Sequence, residues 1–408
     1  MINRLLRRVF TLLSLFSLTA CSPEPPLYLY DSANADIELP YPEVDLKLYW
    51  DYTISIGYGY DIKYDWTAYW YYGWDDHDRY DVFKSEIDYT GTEPTVFNLR
   101  RYHTGDVPYG PHLSTVKPPR PIEGNHYEDE FEWGFWDILV WNELQVDVLS
   151  LHFDETDERI IAYTNPSMFS SRYQAPRYTR SFYAPEPLFA AYQQAIEINR
   201  DLRDFDYDAE HNVYIRRLDM KLKPVTYIYL MEVILHHNNG RITSVDGNAN
   251  LSGMARSTTL NTGITGEDAV TVYFNTNMKK NMPLIPYDPE TASDPRIGAD
   301  PSVERVDVIG GRLLSFGICG IAPNSISRAE EVVDPHRHYF DVTMQFNNGM
   351  DSTFVFDVTE QVRQRYKGGV IKVELDVDTV PIPTRSGGSG FNAVVKETED
   401  GGTYEFDM

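Results

Sequence analysis

The sequence predicts a mostly β protein with two consecutive β-sandwich domains behind a lipoprotein signal peptide. Its 408 residues exceed what one hydrophobic core usually supports, which favours two domains. It contains 30 tyrosines, and tyrosine is enriched on pleated, half-buried surfaces. Near the N-terminus apolar and polar residues also alternate over a long stretch, which is the period of a β-strand.

Residues 1–20 have the order of a secretory signal peptide. A basic region at residues 4–8 precedes an apolar segment at 9–18, which is too short to span a bilayer as a helix. The run LTAC at residues 18–21 then resembles a bacterial lipobox. Cleavage would leave Cys21 as a lipidated first residue; the alternative is a plain signal peptide with a chance cysteine.

Lipid on Cys21 would tether the protein to a membrane. Each buried methylene contributes about 0.8 kcal/mol, so several acyl chains on one cysteine suffice for stable anchoring. No later segment approaches the roughly 18 consecutive apolar residues of a membrane helix. Cys319 then remains as the one free thiol, and its neighbours in FGICGI predict a buried structural thiol rather than a reactive one.

The charge balance argues against nucleic acid as a partner. The net charge is −26, and loss of the leader would leave 33 basic residues against 62 acidic ones, a net charge of −29. Such a surface repels nucleic acid and anionic lipid, which are bound through basic patches. The acidity itself names no partner.

A proline-rich tether is predicted at residues 21–43, because this segment shows no clear hydrophobic period. Within it, Asp31-Ser32-Ala33 matches the Asp-Ser/Thr-aliphatic sequon for O-glycosylation of some Gram-negative bacteria. Asp378-Thr379-Val380 matches as well, but it lies in a predicted strand. Ser32, in an exposed tether, is therefore the better candidate.

The N-terminal domain is predicted at residues 44–205 and begins with the long alternation. A single strand over 44–74 would extend about 100 Å, whereas a domain of this size has a radius of gyration near 15 Å. The run must therefore fold back near Gly57-Tyr58-Gly59, which gives strands near 44–52 and 62–72 and a turn at 73–78. The even, apolar or aromatic positions are Val44, Leu46, Leu48, Trp50, Tyr52, Ile54, Ile56, Tyr58, Tyr60, Ile62, Tyr64, Trp66, Ala68, Trp70, Tyr72 and Trp74.

Two aromatic residues in this run lie on the polar face. Tyr69 and Tyr71 occupy odd positions, which are otherwise mostly polar. They would lie under another element, pack against the second domain, or remain exposed, where aromatic rings could stack on sugars. Their role stays open among these three.

The rest of the N-terminal domain is less regular. Residues 94–126 are rich in proline and are expected to be irregular, whereas FWDILVWNE at 135–143 is apolar on both faces, as in a central strand. The segment 188–198, LFAAYQQAIEI, is the one fair helix candidate, although its ends could be β-strand. The polar residues 199–212 are expected to link the two domains.

The C-terminal domain is predicted at residues 206–408 and is again β-rich. Asn348-Gly349 between two apolar runs is a hairpin signal, and Thr359 is expected to cap a single helical turn over 359–362. Strands are expected at 213–222, 225–236, 269–275, 311–318, 338–347, 352–358, 369–377 and 391–396.

No catalytic chemistry or cofactor is predicted. The sequence lacks G-x-S-x-G, P-loop, H-E-x-x-H and C-x-x-C motifs, and carboxylate pairs are unavoidable in a chain with 62 acids. Adjacent side chains on a strand point to opposite faces, so His236 and His237 cannot both face one metal ion, and they are expected at a hairpin end. His336 and His338 share a face and with Asp341 could bind zinc, although a solvent-facing pair at a strand edge is the favoured interpretation.

Several strings in a fixed order resemble fimbrillin-like outer-membrane lipoproteins, the anchor and accessory subunits of type V fimbriae. In the first half they are VDLKLYWD at 44–51, the tyrosine-rich 64–75, and GFWDILVWN at 134–142. In the second half they are LKPVTYIYLMEV at 222–233, LSGMARS at 251–257, LLSFGICG at 313–320 and FVFDVTEQV at 354–362. The resemblance covers the chain from Cys21 to near its C-terminus.

The resemblance implies two transthyretin-like or immunoglobulin-like β-sandwiches on a palmitate-bearing lipoprotein that faces the cell exterior. Structural pilins of this family lose a first strand after cleavage at an arginine and polymerise by strand exchange. Between Cys21 and Asp78 this chain has no arginine, and the first is Arg79. The resemblance therefore predicts an uncleaved anchor or accessory subunit with pilin-like partners.

The C-terminal segment 391–402 is the candidate exchange strand, with Phe391, Ala393 and Val395 on one face behind a glycine-rich lead-in. The alternative is an ordinary edge strand. The competing function is a surface glycan-binding lipoprotein of a polysaccharide-uptake system, which would use Tyr69 and Tyr71.

Overall fold

Strands form nearly all of the regular structure, which confirms the predicted mostly β fold class. The computed structural model describes residues 43–50, 95–124, 126–144, 150–168, 181–199, 206–208, 213–284, 302, 304–322, 334–384 and 392–395, all within the unit Pro42–Met408. The strands are β1 (Glu43–Trp50), β2 (Val96–Gly105), β3 (Ser114–Val116), β4 (Ile122–Glu123), β5 (His126–Glu130), β6 (Gly134–Asn142), β7 (Leu151–Glu155), β8 (Ile160–Thr164), β9 (Ser181–Phe182), β10 (Phe189–Ile198), β11 (Asp206–Asp208), β12 (Val213–Pro224), β13 (Tyr227–His236), β14 (Ile242–Ala255), β15 (Ser257–Thr259), β16 (Ala269–Asn275), β17 (Asn277–Pro283), β18 (Arg305–Ser315), β19 (Tyr339–Phe346), β20 (Asp351–Asp357), β21 (Gly369–Asp376) and β22 (Asn392–Val395). In the part of the chain that the structure describes, one α-helix, α1, spans Thr359–Gln364 between β20 and β21.

The C-terminal half is a sandwich of two sheets. One sheet has the order β17-β18-β13-β21, and the other has the order β22-β20-β19-β14-β16-β9. Alternate residues of β13 face the space between them, from Tyr227 and Tyr229 to Met231, Val233 and Leu235. These side chains pack against apolar residues of β14, β16, β19 and β20 in one core, so burial of the odd face of β13 joins the two sheets.

The N-terminal half is organised around a nine-stranded sheet with the order β3-β2-β6-β10-β12-β1-β5, to which β4 and β11 add at β2 and β12. Its core takes side chains from β2, β6, β10 and β12. Although four strands separate β2 from β5, Arg101 of β2 donates to Asp129 of β5 at 2.6 Å. Its guanidinium also lies 4.5 Å from the ring centre of Phe131. The sheet must therefore curve until its two ends approach across the core.

A third core lies where the two halves meet. It contains Tyr102, Leu139 and Trp141 from β2 and β6 together with Phe316 and Cys319 from the second half. A three-stranded sheet, β15-β8-β7, supplies further side chains to it. The domain ranges 44–205 and 206–408 stay predictions. Strand β12 lies within the second range but pairs with β1 and β10 of the N-terminal half.

Two segment predictions were wrong. Residues 94–126 contain strands β2 to β4 rather than irregular chain, because Phe97 and Leu99 of β2 enter the core. The helix candidate is strand β10, which pairs antiparallel with β6 and bulges between Gln193 and Ile196.

Two local predictions are confirmed, one with a changed detail. β19 and β20 form an antiparallel hairpin whose turn holds Gly349 at φ 76, a backbone region that suits glycine. The helical turn exists as α1, but Val358 occupies the N-cap position with no side-chain cap, so Thr359 does not cap it as expected. In the described residues no helix has the length and apolar character needed to cross a membrane.

Candidate functional site

Most of the predicted site residues lie outside the described residues. These are Cys21, Ser32, Tyr69, Tyr71 and Phe391. Ala393 and Val395 belong to β22, whose backbone is described. The part of the predicted site that has a position in the fold is therefore the C-terminal strand.

β22 pairs in parallel with β20 and ends the six-stranded sheet among the described strands. The register places Ala393 beside Phe354 and Val395 beside Phe356. Parallel pairing is slightly less stable per residue than antiparallel pairing, and only four residue pairs form here. On its other side β20 makes a longer, antiparallel ladder with β19.

The strand beneath β22 is well anchored in the sandwich. Phe354 and Phe356 belong to the core between the two sheets, and their rings stack with centres 6.3 Å apart. Val355 is fully buried as well. β20 therefore offers a fixed sheet edge, and such an edge can accept a strand from this chain or from another one.

β1 occupies a different kind of position, because strands flank it on both sides. It runs parallel to β12 over its full length and antiparallel to β5 over Glu43–Lys47. β1 is thus an interior strand, and its removal would open a gap between β12 and β5.

His336 and His338 were predicted to face solvent near the start of β19, and this prediction was wrong for His338. His338 is fully buried, and its Nε2 lies 2.8 Å from Asp334 Oδ2, while its Nδ1 lies 3.2 Å from the carbonyl oxygen of Ser252. Its two ring nitrogens thus face the Asp334 carboxylate and the Ser252 carbonyl oxygen. Burial raises the pKa of Asp334, but hydrogen bonds from His338 and the His336 amide outweigh this effect and lower the pKa below its usual range.

The second histidine pair does not lie in a hairpin, since β13 and β14 belong to different sheets. His236 is held between two carboxylates, with Nδ1 2.9 Å from Glu304 Oε1 and Nε2 3.4 Å from Glu374 Oε2. The contacts with Glu374 and then Glu304 raise the pKa of His236 to about 9, although burial opposes them. The hydrogen bond from His236 lowers the pKa of Glu374 to about 2. His236 is accordingly an imidazolium at neutral pH.

Among the described residues, one group has donor atoms close enough together to hold a metal ion. It consists of His237, Asp376 and Asp378. His336, His338 and Asp341 do not form such a group, and Asp341 accepts a hydrogen bond from Asn250 at 2.9 Å instead.

Cys319 is a buried free thiol, as predicted. Burial, with smaller contributions from Asp334, Asp268 and Glu267, raises its pKa to about 12, so the reactive thiolate is suppressed.

Glu232 was missed by sequence analysis. Its side chain is fully buried on β13, and neither carboxylate oxygen has a hydrogen-bond partner. The string YIYLMEV does show one acid within an apolar strand that is buried on both faces, and this was the available signal.

Comparison with known proteins finds no matching family model and no matching curated protein. A solved protein from Bacteroides ovatus, described as a candidate adhesin, is 14% identical and covers 84% of this chain and 95% of its own, with a TM-score of 0.44. The fimbrial anchor protein Mfa2 from Porphyromonas gingivalis is 9% identical and covers 82% and 91%, with a TM-score of 0.37. A candidate polysaccharide-binding protein from Bacteroides thetaiotaomicron is 9% identical and covers 88% and 93%, with a TM-score of 0.35. Fimbrial and adhesin proteins are thus among the solved structures to which this chain is similar.

Proposed function

We propose that this chain is a cell-surface lipoprotein of the outer membrane, facing the exterior, which anchors or terminates a fimbria-like assembly as an accessory subunit and performs no catalysis. Its partners are pilin-like subunits that it joins by strand exchange. The lipobox at Cys21 supports the membrane anchor, and the ordered family strings support the assembly role.

The observation that carries the proposal is the position of β1. This strand is paired on both sides, and no arginine lies between Cys21 and Asp78. A trypsin-like protease therefore has no arginine at which to cut between the lipid and β1. A subunit that keeps both its lipid and its first strand is suited to hold an assembly on the membrane rather than to polymerise within it.

Lipid attachment is tested by labelling cells with an alkyne analogue of palmitate. The wild-type protein should be labelled and should fractionate with the outer membrane, whereas Cys21→Ala should be unlabelled and released. Cys319→Ala is the matched control, because it removes the other cysteine and should leave labelling intact. Labelling of Cys21→Ala at the wild-type level would contradict the anchor.

Retention of β1 is tested by sequencing the N-terminus of protein recovered from the cell surface. A terminus blocked by lipid at Cys21 is expected, with β1 still present. A new terminus directly after Arg79 would show processing of the pilin type and would overturn the anchor role.

Sugar binding through Tyr69 and Tyr71 remains the competing proposal. Binding on a glycan array that is lost in the Tyr69→Ala and Tyr71→Ala variants would favour it over the fimbrial role.

A further inference from the structure

Two turns meet at one end of the C-terminal sandwich because β13 and β21 are parallel neighbours. The register pairs His236 at the end of β13 with Asp376 at the end of β21. His237 begins the connection to β14, and Asp378 lies in the short 3-10 turn Val377–Thr379 that follows β21. An imidazole and two carboxylates thus come together from separate strands.

The donor atoms of these residues have spacings that suit a metal ion. His237 Nδ1 lies 3.1 Å from Asp376 Oδ1, in a hydrogen bond that a bound metal ion would replace. In a tetrahedral zinc site with bonds of about 2.0–2.1 Å, neighbouring ligand atoms are about 3.3 Å apart. One donor atom from each of His237, Asp376 and Asp378 lies within 4.8 Å of the other two. A rotation of the Asp378 side chain would bring its carboxylate to the spacing of a third metal ligand. We propose that His237, Asp376 and Asp378 form a binding site for a zinc-type divalent cation.

The backbone around the carboxylates is fixed by neighbouring hydrogen bonds. Arg241 donates to the carbonyl oxygens of Val377 and Val380, at 2.7 and 2.6 Å. Asp376 Oδ1 accepts from the backbone N–H of Asp378 at 3.1 Å. Hydrogen bonds of this kind orient ligands and raise the affinity of metal sites.

Arg241 competes with a cation only weakly. Its contact with Asp378 Oδ1 is 3.4 Å long, beyond the usual range of an N–H···O hydrogen bond. The two short bonds of Arg241 go to backbone carbonyls, so Asp378 can turn towards a cation while Arg241 stays in place.

The site is open to solvent, and the neighbouring histidine is not part of it. The side chains of His237, Asp376 and Asp378 are 57%, 45% and 59% exposed. A metal ion can therefore enter, with water in its fourth position, as in open zinc sites. His236 has both ring nitrogens against the carboxylates of Glu304 and Glu374, which leaves His237 as the histidine ligand.

The purified full chain is first treated with EDTA to remove bound metal. It is then titrated with zinc chloride in an isothermal titration calorimeter at an ionic strength of about 0.15 M. A second titration uses calcium chloride. Zinc should bind at one saturable site. His237→Ala and Asp376→Asn should each weaken zinc binding by at least about tenfold. Calcium should bind far more weakly, because it prefers oxygen ligands alone.

His236→Gln is the matched control, since it changes the adjacent histidine and should retain zinc affinity. Thermal unfolding of each variant without metal verifies the fold. The unfolding midpoints of the site variants should change little, because the side chains of the site are exposed. Two results would overturn the proposal: the absence of saturable zinc binding, or equal zinc affinity in the wild type and His237→Ala.

Discussion

At the scale of single residues, Glu232 is the group least matched to its surroundings. Burial raises its pKa well above the ordinary glutamate value, Lys372 opposes this effect and Glu374 adds to it. The folded protein therefore keeps a proton on Glu232 that the unfolded chain releases. Stability is therefore lost as the pH rises above the unfolded pKa near 4.5 towards the raised folded pKa. Glu232 stabilises the fold least at high pH.

Glu232→Met should increase the free energy of unfolding at pH 8 by about 1–3 kcal/mol, since a buried polar group without a hydrogen bond costs about this much. Urea denaturation at pH 5 and pH 8 measures the effect, which should be larger at pH 8. Glu232→Gln is the control: it cannot ionise, so its stability should vary less between these two pH values than that of the wild type. An unchanged or lower stability of Glu232→Met at pH 8 would contradict this account.

The buried pair of Asp334 and His338 should act in the opposite pH direction. The folded pKa of Asp334 is below its usual value of 3.8, so the stabilisation is present above about pH 4 and is lost as the pH falls through the lowered pKa. Asp334→Ala should cost about 1–3 kcal/mol at pH 7, because it leaves a ring nitrogen of the buried His338 without its hydrogen-bond partner.

Urea denaturation of Asp334→Ala at pH 7 measures this loss. Arg337→Ala is the matched control, since it breaks an exposed pair with Asp357 at 3.1 Å and should change stability by at most about 1 kcal/mol. Similar effects of the two variants would show that the buried pair has no special contribution.

At the scale of elements, the bulge in β14 depends on one glycine. Gly253 has φ +84, and a Cβ atom there would collide with the carbonyl oxygen of Arg337 and lie 2.8 Å from His338 Nδ1. The pairing of β14 with β16 shifts register between Leu251 and Met254, around this glycine. The bulge therefore brings β14 close to the segment that contains the buried histidine.

Gly253→Ala should lower the free energy of unfolding by about 1–3 kcal/mol, because it overpacks a site that cannot relax easily. The matched control is Gly247→Ala in the same strand, where an added Cβ would meet no atom within 4 Å. Thermal unfolding of both variants measures the difference. Equal midpoints would contradict the close approach at Gly253.

Strand periodicity predicted several strands of the C-terminal core but missed β14, whose side chains also enter that core. β13 and β21 lie where the sequence placed them, since their side chains alternate or are apolar throughout. β10 contains good helix formers, but its Phe189 and Ile196 enter the core and Ala195 donates its N–H to Asp137 at 2.8 Å. Tertiary contacts therefore override the helix propensity of this segment.

The candidate metal site could not be predicted in the same way. Adjacent positions on a strand exclude a shared site for His236 and His237, and this local argument is sound. Asp376 and Asp378 come near His237 only because β21 lies parallel to β13 more than a hundred residues later. Sequence spacing contains no record of that pairing.

At the scale of the whole molecule, β22 is the strand whose loss the fold should tolerate. It forms four parallel pairs at the edge of its sheet, whereas the core beneath it is held by β19 and β20. Deletion of residues 388–408 should therefore leave the unfolding transition cooperative but abolish co-purification with a pilin-like subunit, since the proposed exchange strand is gone.

Deletion of residues 397–408 is the control for this experiment, because it retains β22 and should retain the partner. Circular dichroism and thermal unfolding establish folding, and affinity purification from the native cells measures the partner. If the longer deletion still co-purifies the partner, β22 is an ordinary edge strand. If the longer deletion prevents folding, β22 is an obligatory part of its own sheet and is not available for exchange. Loss of the partner with the fold intact is the one outcome that assigns β22 to assembly.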